Sequence, residues 1–166
     1  MTRSLPVACT TEQTQLGEGT RWDDRYHELL HVDILAGRIY RDKINDDGSL
    51  SQVGTHEVPG TVGAIAPIEN DEGWLLAAGK TITYLRPNGE RRLIAEVSSE
   101  GTRMNDAACD PQDRSWSGTK ADHAGSGALY RLDRNGQAES MLGRSDDLQR
   151  TGLESRRKGP ATDRGA

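Results

Sequence analysis

Short runs of alternating apolar and polar residues fill most of this chain. "ELLHVDI", "GRIYRDKI", "SLSQVGTHEV", "VGAIAPI", "GWLLAAG", "TITYLRP", "RRLIAEV", "GALYRLD" and "QAESML" are each roughly five to nine residues long, and many show the period of two that half-buried strands require. Between them lie "NDDGS", "ENDEG", "RPNGE" and "DRNGQ", where Asn, Asp and Gly supply the positive φ angles of tight hairpins. No window sustains a 3.6-residue period. The pattern predicts an all-β chain built from short hairpins.

The pattern also repeats. Aligning "RIYR", "ITYL" and "ALYR" sets Tyr40, Tyr84 and Tyr130 in register, at intervals of 44 and 46 residues. Each Tyr strand follows a strand that ends in a small or turn residue and precedes a turn with a more polar strand. A period of about 40–50 residues with four strands per unit marks a β-propeller blade. The chain therefore predicts about three blades, and a closed ring typically needs about four to eight. Such an open stack leaves sheet edges that invite self-association.

Composition narrows the picture. The 166 residues suit one domain, but the hydrophobic share is 33%, the aromatic share 4% with no Phe, and Gly numbers 19, so core material is thin. The net charge of -5 is uneven: residues 143–166 hold six Lys/Arg against four acids, which leaves an acidic body. An acidic body argues against nucleic acid as a partner. No stretch resembles a signal peptide or a membrane span, so no membrane partner is expected and cytoplasm is the default location. Cys9 and Cys109 lack metal or redox spacing and are expected to be buried or half-buried.

Three stretches carry candidate chemistry: "LGEGTRWDD" from Leu16, "RMNDAACDPQDRSWSGTKAD" from Arg103 and "GALYRLDRNG" from Gly127. In this order and spacing they resemble the regucalcin and gluconolactonase family of six-bladed propellers, the senescence marker protein type, from about Leu16 to Leu142. The resemblance implies that Glu18, set between two glycines, projects into a central channel as a ligand of a divalent cation. A hard oxygen ligand suits calcium, zinc, magnesium or manganese alike. Arg103 and Asn105 alternate around Met104, which places them on one side of an extended segment with Met104 turned into the blade. Guanidinium and amide together suit sugar hydroxyls and a ring carbonyl, and the matching family residues bind substrate; the competing expectation pairs Arg103 with Asp106 or Asp110. Asp106 is expected to satisfy turn amides. The chain departs from the family at "SWSGTK", where "FWAGTM" is common: Lys120 brings a charge to a position expected inside, and a substrate-contacting acid of some members falls near His123. His27 and His56 are expected on the surface, His31 in a strand, and Trp22, Trp74 and Trp116 in blade cores.

The strand pattern stops at "DDLQRTGLESRR". Here the family has a turn of the type Ile-Ser-Asn-Gly-Leu-Asp-Trp-Ser, whose Asn is a second metal ligand, and a later blade supplies an Asp as metal ligand and general base. One set of codons for Asp147 to Ser155, read one base later, spells that motif. The expectation is a partial propeller over 1–143 and a disordered or frameshifted tail over 144–166. The function implied is metal-dependent hydrolysis of a sugar lactone such as an aldonolactone, with Glu18 as metal residue, Arg103 and Asn105 as substrate residues, no catalytic residue identified, and little activity in the chain as it stands. The alternatives are a non-enzymatic binding or oligomerisation module, and calcium binding without catalysis, for which no EF-hand loop is present.

Overall fold

The computed structural model describes residues 8–97 and 101–145, so the tail from 146 onward lies outside it. Twelve strands follow one another without a helix: β1 (Gly17–Asp23), β2 (Glu28–Asp33), β3 (Arg38–Ile44), β4 (Leu50–Glu57), β5 (Val62–Pro67), β6 (Trp74–Ala78), β7 (Thr81–Leu85), β8 (Arg91–Glu96), β9 (Thr102–Cys109), β10 (Ser115–Ala121), β11 (Gly127–Leu132) and β12 (Ala138–Ser145). They form three antiparallel meanders, β1-β2-β3-β4, β5-β6-β7-β8 and β9-β10-β11-β12. These are the three blades that the Tyr spacing predicts, and Tyr40, Tyr84 and Tyr130 sit on the third strand of each.

The turns explain the regularity. In Asn45–Ser49, Arg86–Glu90 and Asp133–Gln137 the first amide donates to the fifth carbonyl and the fourth amide returns to the first carbonyl. The fourth residue is Gly48, Gly89 or Gly136, each with φ near 80–90°, a region closed to most side chains. Asp110–Arg114 closes the same way with Asp113 at φ 60.

Burial lies between the blades rather than within them. Leu30, Val32, Ile34 and Ile39 of the first blade meet Val62, Ile65, Trp74, Leu76 and Leu85 of the second. The other side of the second blade offers Ala64, Ala77 and Ile82 to Met104 and Leu132 of the third. Blade two is thus covered on both faces, which is why "VGAIA" and "WLLAA" read as nearly continuous apolar runs. The second interface is built from smaller side chains, Ala64 and Ala77 among them.

A polar pin reinforces the first interface at the far end of β1. The buried Asp23 carboxylate accepts from Arg25 Nε and Nη2 at 2.8 and 2.6 Å and from Trp74 Nε1 at 2.7 Å. Arg25 Nη1 in turn donates to the carbonyls of Ile68 (3.0 Å), Gly73 (2.9 Å) and Asp71. Burial alone would push the Asp23 carboxyl up, but the bonds from Arg25 and Trp74 hold it below the usual carboxylate range.

Several positions differ from expectation. Trp22 is 44% exposed, its indole N–H turned to Asp24 at 3.2 Å rather than into a core, because β1 carries it on the face away from blade two. His56 is half-buried against Trp74 at 5.7 Å between ring centroids, because inward and outward positions alternate along β4. Cys9 and Cys109 are both exposed, one on the N-terminal segment and the other at the outer end of β9. Lys120 is exposed too, near the end of β10. No helix long and apolar enough to cross a membrane occurs among the described residues.

Candidate functional site

The first strands of the three blades, β1, β5 and β9, lie side by side. Each is broken by a bulge near its start. In β1 the register slips between Glu18, opposite Val32, and Arg21, opposite Leu30. In β5 Gly63 is the extra residue, between Val62 opposite Ala78 and Ala64 opposite Ala77. In β9 it is Asn105, between Met104 opposite Thr119 and Asp106 opposite Gly118. A bulge re-aims the side chains beside it, so one distortion repeated three times gathers Glu18, Gly63 and Asn105 at one end of the stack.

Glycine makes this closeness available. A Cβ on Gly63 would lie 2.7 Å from the Met104 carbonyl and the Asn105 amide nitrogen, so β5 and β9 touch backbone to backbone. Gly19, at φ +64, comes as near as 3.6 Å from its Cβ position to the Gly63 carbonyl oxygen. Arg21 spans the remaining gap, donating from Nη2 to the Ala107 carbonyl at 3.1 Å.

On this frame the Arg103 and Asn105 side chains are brought together. Arg103 Nη1 donates to Asn105 Oδ1 at 2.9 Å and to the Met104 carbonyl at 3.1 Å. With its oxygen engaged by Arg103, the Asn105 amide still carries two N–H donors on Nδ2. Met104 is fully buried in the core between blades two and three. Arg103 pairs with neither Asp106 nor Asp110: Asp106 Oδ1 accepts the Ala107 amide at 2.8 Å, a strand amide rather than the turn amide expected, and Asp110 is held by Arg114 Nε and Trp116 Nε1 at 2.6 and 2.8 Å. Burial pushes the Arg103 guanidinium below its usual range, while Asp122 and Glu18 pull it back up, which places both carboxylates within electrostatic reach. Asp122 was not singled out by sequence; its signal was its place two residues after Lys120, which pairs with Arg103 across the β9–β10 ladder.

Glu18 is exposed. Among the described residues no group of three His, Cys, Asp or Glu side chains is placed to hold a metal ion. One carboxylate with a guanidinium in reach does not fit a divalent cation, whose site needs several converging oxygens, so the residues described do not by themselves form a metal centre.

The sequence pattern of the SMP-30/gluconolactonase/LRE-like region matches residues 16–148. The chain belongs to this family. It is 31% identical over 148 residues to a pentonolactonase of Haloferax volcanii, covering 85% of this chain and 45% of that protein. It is 33% identical over 144 residues to a 6-deoxy-6-sulfogluconolactonase of Pseudomonas putida, covering 82% and 47%. Among solved structures, the calcium-binding protein regucalcin of Agrobacterium tumefaciens superimposes with a TM-score of 0.69 at 24% identity, over 79% of this chain and 44% of that one. The chain thus spans a little under half the length of these relatives. The three-sheet architecture is that of regucalcin-type propeller blades.

Proposed function

We propose that this chain carries the substrate-orienting part of a sugar lactone hydrolase site. The observation that carries the reading is the Arg103–Asn105 hydrogen bond at the β9 bulge, which holds a guanidinium and a carboxamide together at one point. Those donors suit the ring carbonyl and hydroxyls of an aldonolactone. Its relatives include a pentonolactonase and a sulfogluconolactonase, which supports the same substrate class.

In lactone hydrolysis a water oxygen bonds to the carbonyl carbon, the bond from that carbon to the ring oxygen breaks, and the ring oxygen leaves as a hydroxyl with a proton. The product is the open hydroxy acid. A regucalcin relative is a calcium-binding protein, and Glu18 is the residue here that would contribute to a divalent cation in this family. Among the described residues no group of three His, Cys, Asp or Glu side chains supplies the remaining ligands. The 166-residue chain is therefore proposed to bind sugar ligands weakly and to turn over lactone little or not at all.

Titration with glucitol, an open-chain polyol that cannot be hydrolysed, tests the reading. Binding that falls about tenfold in both Arg103→Met and Asn105→Leu is expected, each variant losing about one good polar contact. Binding indifferent to both substitutions would refute it.

A further inference from the structure

The β9–β10 ladder sets a second cation, Lys120, beside the Arg103 of the sugar site. Lys120 stands directly opposite Arg103, and directly opposed residues of an antiparallel pair point to the same face with Cβ atoms about 5 Å apart. Like charges so placed destabilise a sheet. The usual remedy is a carboxylate bridging the two, and the fold uses such partners freely elsewhere: Arg41 has Glu28 at 2.7 Å, Arg114 has Asp110 at 2.6 Å and Arg131 has Glu139 at 2.7 Å. Neither Lys120 nor Arg103 has an ion-pair partner among the described residues. Asp122, two positions on from Lys120, and Glu18 act on Arg103 only at longer range, neither forming an ion pair with it.

The two cations differ in setting, which gives the pair a direction. Arg103 is half-buried and anchored by Nη1, so its free edge has a fixed orientation. Lys120 is exposed, on a flexible stem on the same face of the ladder as Arg103. An anionic group bridging them would lie beside the Asn105 amide that orients the sugar.

We propose that Lys120 and Arg103 together seat an anionic substituent, a phosphate, sulfonate or carboxylate, carried by the lactone that this site takes. The proposal rests on the lactone-binding reading and refines its substrate class. Lys120 sets specificity; it takes no part in the bond changes.

Glucitol and glucitol 6-phosphate, titrated into the full chain by calorimetry with inorganic phosphate as control, test it. The expected result is a preference for glucitol 6-phosphate of about fivefold or more at low salt, shrinking as ionic strength rises. Lys120→Met brings the ratio toward one, and Lys120→Arg retains it. Equal affinities in the unmodified chain, a preference that survives Lys120→Met, or inorganic phosphate binding as tightly as the sugar phosphate would each overturn the proposal. If neither sugar probe binds, the lactone-binding reading itself fails and takes this refinement with it.

Discussion

Gly63→Ala joins fold and site in a single methyl group. The φ of Gly63 is not in the left-handed region, so the substitution meets no backbone strain and should gain about 0.4–1 kcal/mol by restricting the unfolded chain. Against this, the new Cβ lies 2.7 Å from the Met104 carbonyl carbon and oxygen and the Asn105 nitrogen. Ordinary contact is about 3.5 Å, so β9 must retreat by about 0.8 Å, and backbone atoms cannot swing aside as a side-chain tip would. Overpacking of this kind costs about 1–3 kcal/mol, which leaves a net loss of about 1–2 kcal/mol. In thermal unfolding followed by circular dichroism that is a fall of about 3–6 °C for a chain of this size. The same retreat moves the Met104 carbonyl that anchors Arg103, so glucitol binding should weaken in the folded variant. Gly48→Ala is the control: it meets nothing within 4 Å but sits at φ +82, so it should cost stability through the backbone alone and spare the site. A Gly63→Ala protein as stable as its parent, or one that binds glucitol unchanged, would refute the close approach of β5 and β9.

Other outcomes follow from the same structure. Trp74→Phe removes the 2.7 Å donor to the buried Asp23 carboxylate and should cost about 1.5–3 kcal/mol in urea unfolding, as expected of a bond to a charged group. The Asp23 and Asp110 carboxyls are both held below their ordinary value of 3.8 despite burial, so their stabilisation is complete above that pH and is lost as pH falls below it; unfolding monitored against pH should steepen there. His56 is pushed below its ordinary 6.5 by burial and by Arg41, and its Nε2 has no hydrogen-bond partner among the described residues. Its contribution is complete above that pH and declines as pH falls through it, a shoulder that His56→Gln should remove. Sequencing the gene across Gly143 to Ser155 should show the Ile-Ser-Asn-Gly-Leu-Asp-Trp-Ser motif in the second frame if the tail is the frameshifted segment proposed; its absence there would reject that origin.

The repeat was plain in the sequence because Tyr40, Tyr84 and Tyr130 and the Gly-bearing turns recur wherever a blade needs its third strand and its hairpin. The strands that alternation does not reveal are β1, β9 and β10. Two of them carry the site. "GEGTRWD" and "TRMNDAAC" are interrupted by bulges, and a bulge breaks the period of two by which a strand is recognised. Glu18, Arg103 and Asn105 were therefore legible only through the family motif, and the Arg103–Asn105 bond, the Gly63 contact and the opposition of Lys120 to Arg103 needed the register. Trp22 and His56 misled for a related reason: which face of β1 or β4 meets a neighbouring blade depends on how the sheets stack, and composition carries no record of that.

We propose that these three blades orient a sugar lactone without completing a hydrolytic centre. The most direct test is lactone turnover by the purified 166-residue chain, with aldonolactones and the 6-phosphorylated lactone, in chelator and then in added calcium, zinc, magnesium or manganese. Rates at the uncatalysed background are expected in every condition. Metal-dependent hydrolysis well above background, abolished by Glu18→Gln, would contradict the proposal.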